Sequence, residues 1–268
     1  MLITLLINSV LPRIGTVCNI PYNTNSGWVE GQINNLTHNG HYVQVITTSL
    51  HVDKLIDYSF DMERYIVVPI SQERIYETFL SALKEMRVTS DVIHIFGTEQ
   101  CTTLAALNYF PLEKTIVSIQ GLAHAYAEMF FKDFNYDKPQ SVLSKILPKF
   151  YFSKKGQNRL RLNGIREIES IKLLKNVAGR TEWDKALVKL INKNINYYYC
   201  NEVLRDEFYD STKWNFSKIR NHSIFLTQIQ SPIKGFDKFL QALSVVVQRF
   251  PDTKVYVDSG MYESVKSI

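Results

Sequence analysis

The chain has 268 residues, 45% hydrophobic and 21% charged, an ordinary globular composition with the length of one large or two smaller domains. A formal charge of +5 and a pI near 8.9 point to anionic partners such as nucleotides, phosphorylated lipids or membrane surfaces without choosing among them. Cys18, Cys101 and Cys200 are far apart and odd in number. They exclude a disulfide framework and a metal-ligand spacing, and they fit a reducing cytosol. No apolar run approaches the roughly 20 residues that span a bilayer. The apolar start lacks the positive flank and small-residue cleavage site of a signal peptide, so the expected location is cytoplasmic.

Residues 2–8 form a short apolar run, as in a strand buried on both faces of a parallel sheet. Pro12, Gly15 and Pro21 predict a loop lasting until about Asn25, long enough to be functional or disordered. Val29, Ile33 and Leu36 then recur at helical spacing. Gly27 and Glu30 stand as N-cap and N3 of a capping box that lacks its side-chain acceptor. A strand, a loop and a glycine at a helix N-terminus form a candidate phosphate corner.

Strands follow at 42–47 and 64–69, a helix at 72–86 with Ile75, Phe79, Leu83 and Met86 on one stripe, a strand at 91–97, a helix at about 98–109 and a strand at 114–121. Between Lys145 and Lys175 nine Lys/Arg face only Glu167 and Glu169, and aromatic residues are dense from Tyr126 to Phe152. Three readings of this region stay open. The default is a solvated helical surface, the second is peripheral contact with an anionic membrane at its cytoplasmic face, and nucleic-acid binding comes last because no known module accompanies it.

A helix is expected at 159–174, a strand at 177–180, Thr181 as N-cap of a helix at 182–191, a strand at 196–200, and a helix opening at Asn201 or Glu202. Periodicity lapses at 214–221, the expected domain boundary, which gives domains 1–218 and 219–268. A strand at 223–227, a helix at 234–250 and a strand at 253–257 restart the pattern. One βαβ unit is too small for a core of its own, so more of the second domain is expected beyond Ile268. The alternation throughout predicts an α/β fold with βαβ units and a mostly parallel sheet.

In such sheets ligands bind beyond the carboxyl ends of the strands. Those ends carry Asn8, Gly97-Thr98-Glu99, Gln120-Gly121, Gly179-Arg180-Thr181 and the stretch from Gln228 to Gly235. Lys234-Gly235 at a helix start offers an ammonium and backbone donors to a diphosphate, and a solvated helix start reads equally well there. His94, inside an apolar strand, reads as a satisfied core residue. Glu167 and Glu169 fall on different helix faces. There is no Walker loop, dinucleotide fingerprint or nucleophile elbow.

Ser26-Gly27-Trp28-Val29-Glu30-Gly31, Asn39-Gly40-His41, Asp91-Val92-Ile93-His94-Ile95-Phe96-Gly97-Thr98-Glu99, Gly179-Arg180-Thr181-Glu182-Trp183-Asp184 and Ser231-Pro232-Ile233-Lys234-Gly235 occur in this order. Together they resemble the retaining GT-B glycosyltransferases of family 4, in particular those of bacterial surface-polysaccharide clusters. The resemblance implies a Rossmann-like N-terminal acceptor domain and the first βαβ unit of a donor domain. It also implies a nucleotide-sugar donor, a saccharide or lipid-linked acceptor, no metal or cofactor, and no nucleic-acid partner. Gly27 takes the place near the donor phosphates, and Lys234 with Gly235 that of the group neutralising the departing diphosphate. Thr98, Glu99 and Arg180 are expected to line the acceptor-side cleft.

Four departures accompany the resemblance. Ser26-Gly27 stands where many relatives have Gly-Gly. Gln120 stands for a histidine, keeping hydrogen bonding at the expected catalytic position but no general base. Ile229 stands for an arginine, and the family's Glu-x7-Glu segment would fall past residue 268. The expected activity of the chain is therefore weak. The alternative is a non-catalytic saccharide- or partner-binding remnant, or one half of a split enzyme.

Overall fold

A computed structural model describes residues 1–130, 154–204, 206–227 and 232–257, without the side chains of 25, 154, 155, 232 and 237. Phe131, Phe134, Tyr136, Phe150, Tyr151, Phe152, Lys145, Lys149 and the stretch 228–231 with Ile229 lie outside the described residues. The chain divides into two compact units, Met1–Ala123 with Asn163–Ser211, and His124–Leu162 with Thr212–Ile268.

The first unit is an eight-stranded sheet in the order β3-β4-β2-β1-β5-β6-β7-β8. Its strands are β1 (Leu2–Leu6), β2 (Tyr42–Ser49), β3 (Ile56–Phe60), β4 (Glu63–Pro69), β5 (Val92–Phe96), β6 (Thr115–Ser118), β7 (Asn176–Gly179) and β8 (Asn196–Tyr199). All neighbours pair in parallel except β3 with β4. The β3–β4 hairpin is absent from the sequence reading, although Ile56, Tyr58 and Phe60 alternate with polar residues up to the turn at Asp61-Met62.

Alternation sends Ile3, Leu5 and Ile7 into one core cluster with Ile14, Val29, Ile33 and Val45. Helices α1 (Pro12–Cys18) and α2 (Gly27–His38) supply part of that cluster. From β1 the chain winds out to β2 and β4, then returns past β1 to β5. Right-handed crossovers therefore put α3 (Ile75–Met86) and α4 (Cys101–Leu107) on the opposite face. There α3 buries Phe79 and Leu83 completely, each contributing about 2 kcal/mol of transfer free energy.

Two local expectations are corrected. Residues 10–25 are not one irregular loop. Pro12 begins α1 at a position that loses no intrahelical hydrogen bond, and Gly15 makes room for Tyr22, whose ring would lie 2.5 Å from an added Cβ. No helix opens at Asn201 or Glu202 either. The next helix in order is α5 (Ala123–Met129), followed by α6 (Lys154–Leu173), α7 (Glu182–Ile191) and α8 (Asp206–Asp210). Residues 201–204 run non-helically to α2, where the Leu204 carbonyl oxygen would be 2.9 Å from a Cβ on Gly31.

In the second unit, β9 (Ser223–Leu226), α9 (Phe236–Arg249) and β10 (Lys254–Val257) form a parallel βαβ. The lapse at 214–221 holds only a short 3-10 turn, Phe216–Lys218.

Candidate functional site

Strand β1 lies between β2 and β5, and the winding reverses there. The crevice outside the carboxyl ends of β1 and β5 is the place where open α/β sheets bind ligands. Helix α2 begins at this edge. Its N-cap is Ser26, not Gly27; Gly27 is the first helical residue. The Ser26 hydroxyl makes no capping bond and instead shares a 2.8 Å hydrogen bond with the Ser9 hydroxyl after β1. The first turn of α2 thus has no side-chain cap at Ser26, and a 3-10 turn, Thr24–Ser26, runs directly into it. What an anion would meet there is the positive end of the helix dipole. Trp28 anchors the turn by packing edge-on against Phe96 at the end of β5, 5.0 Å between centroids.

The β5 end is built around Gly97. Its φ of 93° is costly for any side-chain-bearing residue. Its N–H donates to the Ser118 carbonyl at 2.9 Å, and its carbonyl accepts from the Thr103 hydroxyl at 2.8 Å. The Glu99 carboxylate folds back so closely that a Cβ on Gly97 would meet Oε2 at 2.9 Å. Oε1 of Glu99 accepts from the Gln100 amide at 3.0 Å. Oε2 is buried without a hydrogen-bond partner, and burial pushes the carboxyl above its usual range. Thr98 faces inward. It is fully buried and donates to Glu167 Oε1 at 2.7 Å, so its hydroxyl joins α6 to the sheet and does not line a cleft. Glu167 is buried and Glu169 exposed, in keeping with their different helix faces.

His94 is a satisfied core residue, as expected. Burial lowers its pKa to about 4, so it is neutral at physiological pH. The Gln32 amide lies 3.2 Å from Nδ1, and Nε2 lies 2.7 Å from the Ser118 hydroxyl. Gln120 is half-buried in the bend after β6. Arg180 follows β7 and pairs with Glu202 at 3.0 Å. Its backbone N–H and that of Thr181 both donate to Asp184 Oδ2 at 3.1 Å, and Thr181 Oγ1 accepts from the Asp184 N–H at 3.0 Å. Thr181 is the N-cap of α7, as predicted, and Asp184 completes a capping box with it. Sequence reasoning missed Ser9, Glu202 and the buried role of Glu167, because each acts through a partner far away in the chain.

In the second unit, Lys234 is exposed at the end of the 3-10 turn Pro232–Lys234. Gly235 is the N-cap of α9 with φ 72°, a left-handed conformation that glycine adopts without strain. Buried Phe236 stacks on Phe239 at 6.1 Å and fixes the helix start. A cavity of about 320 Å³ at the other end of β9 is lined by Arg220, His222 and Phe250. Its polar groups are already engaged, His222 with Asp252 at 2.7 Å and Arg220 with the Tyr256 hydroxyl at 3.2 Å. Among the described residues no cluster of His, Cys, Asp and Glu has the makings of a metal site, and no helix is long and apolar enough to cross a membrane.

No family model matches the chain, and no curated protein matches it. Solved structures do. One is the E. coli trehalose-6-phosphate protein bound with UDP-2-fluoro glucose, with a TM-score of 0.55 and 10% identity, over 100% of this chain and 68% of that one. The fold is GT-B-like. Two further matches have lower TM-scores. The sucrose-phosphate synthase of Thermosynechococcus elongatus gives 0.47 at 11% identity, over 99% of this chain and 73% of that one. The catalytic domain of Arabidopsis thaliana starch synthase IV, bound to ADP and acarbose, gives 0.47 at 10% identity, over 99% and 70%.

Proposed function

We propose that the protein belongs to a nucleotide-sugar-dependent glycosyltransferase of the retaining, family 4 type, acting on a saccharide or lipid-linked acceptor in surface-polysaccharide synthesis. The observation that carries this reading is the first turn of α2 at the sheet's switch point, with the Ser26 hydroxyl turned to Ser9 and no side-chain cap. The GT-B-like fold supports it, as does the nucleotide-sugar analogue held by the E. coli protein of that fold. In this reading the start of α2 at Gly27 approaches the donor phosphates. Lys234 and the Gly235 turn stabilise charge on the departing nucleoside diphosphate. Gln120 hydrogen-bonds a reacting sugar, while Glu99 and Arg180 face the acceptor. The bond from the anomeric carbon to the diphosphate breaks, the bond to the acceptor oxygen forms, and the acceptor proton leaves with the diphosphate or to solvent. No metal is assigned a part.

Calorimetric titration with UDP and ADP tests the reading. Binding on the order of 1 mM, about −4 kcal/mol, is expected for one of them. Lys234→Ala should weaken it about tenfold, the loss of one charge-assisted contact. Absence of nucleotide binding, or binding indifferent to Lys234, overturns the assignment.

A further inference from the structure

The basic stretch singled out by composition resolves, in its described part, into the outer face of one continuous helix. Helix α6 turns Gly164, Glu167, Ser170 and Ile171 inward and buries them. At 3.6 residues per turn, Asn158, Leu162, Ile165, Glu169 and Leu173 fall on the opposite side, within an arc of roughly 80°. Leu162 and Ile165 are each 58% exposed and Leu173 40%, an apolar ridge along the outside of the helix. Cations flank the ridge on both sides, Arg159 and Arg166 along one border and Arg161 and Lys172 along the other. Glu169 is the single acid on this face, because Glu167 is fully buried beneath it. Arg161 makes only a long 3.6 Å contact with Glu128, and Arg166 bonds within its own helix to Asn163 at 3.3 Å.

We propose that this face of α6 rests on an anionic lipid surface. Aliphatic side chains in the middle of a helix face enter the acyl boundary, while flanking Arg and Lys extend their heads to lipid phosphates and bury their stems. A solvated protein surface explains the cations but not the three exposed aliphatic residues between them. A nucleic-acid groove would want cations and stacking or hydrogen-bonding groups along the ridge, where this helix places leucine and isoleucine. The charge pattern, four cations around an apolar centre against Glu169 on the helix and Glu128 beside Arg161, is complementary to a negatively charged bilayer face. This inference does not depend on the glycosyltransferase reading.

Co-sedimentation of the full chain with phosphatidylcholine vesicles, with and without phosphatidylglycerol, tests it. The protein should pellet only with the anionic vesicles, and less so as salt is raised. Arg159→Gln with Lys172→Gln, one change on each border, should weaken binding about thirtyfold, at about a factor of five per cation. Leu162→Ser with Ile165→Ser leaves the charge intact and should weaken it roughly tenfold. Both variants change exposed side chains only, and an unchanged melting temperature verifies that they fold. Equal binding to neutral vesicles overturns the proposal. So does the absence of vesicle binding, binding to duplex DNA in its place, or a serine variant that binds like the parent.

Discussion

Two pairs of parallel strands in this chain, β1 with β5 and β9 with β10, meet very different fates. In the first unit, β1 and β5 are flanked by strands on both sides, and Leu5, Ile93 and Ile95 are fully buried. Among the described residues of the second, β9 and β10 pair only with each other, and Phe225 is 69% exposed and Tyr256 40%. The local sequence signals are equally good, since both units contain short apolar strands and amphipathic helices. The difference lies in the number of neighbours. A strand's apolar residues contribute to stability only when both faces and both edges find partners, and two strands supply too few. Amide hydrogen exchange should therefore protect β1 and β5 by the full unfolding free energy and β9 and β10 by much less. Equal protection would break the contrast.

Substitutions sharpen it. Phe79→Ala, in the fully buried core of α3, should cost roughly 3–5 kcal/mol in chemical denaturation. Acid should come next. The His94 pKa falls from 6.5 in the unfolded chain to about 4 in the folded one, so the unfolded state binds the extra proton. Stability is full above pH 6.5 and is lost as pH falls towards 4, by about 3 kcal/mol. His94→Gln should flatten that part of the pH profile while the other carboxylate-linked losses remain. Gly97→Ala forces a side chain into a left-handed backbone and against Glu99, for about 2 kcal/mol. At the small end, Phe225→Ala should change stability by less than about 0.5 kcal/mol. A cost approaching that of Phe79→Ala would mean that the exposed strand is covered in solution.

The parallel sheet and most of its helices were legible because buried parallel strands are near-continuous apolar runs and surface helices repeat every 3.6 residues. The helix at 182–191 is legible to the residue, since Thr181 is a good N-cap before an amphipathic run. Failures occurred where a residue's usual meaning was overridden. Pro12 reads as a breaker but starts a helix, and β3 is hard to see in the sequence because its alternation makes sense only beside its partner β4. At the site, glycines and strand ends were visible, but their partners were not. Nothing local announces that Ser26 turns to Ser9, that Thr98 is committed to Glu167, or that Arg180 is held by Glu202.

Gly31 has a consequence that reaches beyond its own helix. It allows the backbone at Leu204 to lie directly on α2, one turn past the residues that face the switch point. Space at this crossing is shared by two segments more than 170 positions apart, so neither can drift alone. An alanine at 31 must lift the 201–204 segment away, and with it the Glu202 carboxylate that steadies Arg180. Among relatives of this protein, a larger residue at position 31 should therefore travel with a rerouted chain after β8, and with a different partner for the arginine.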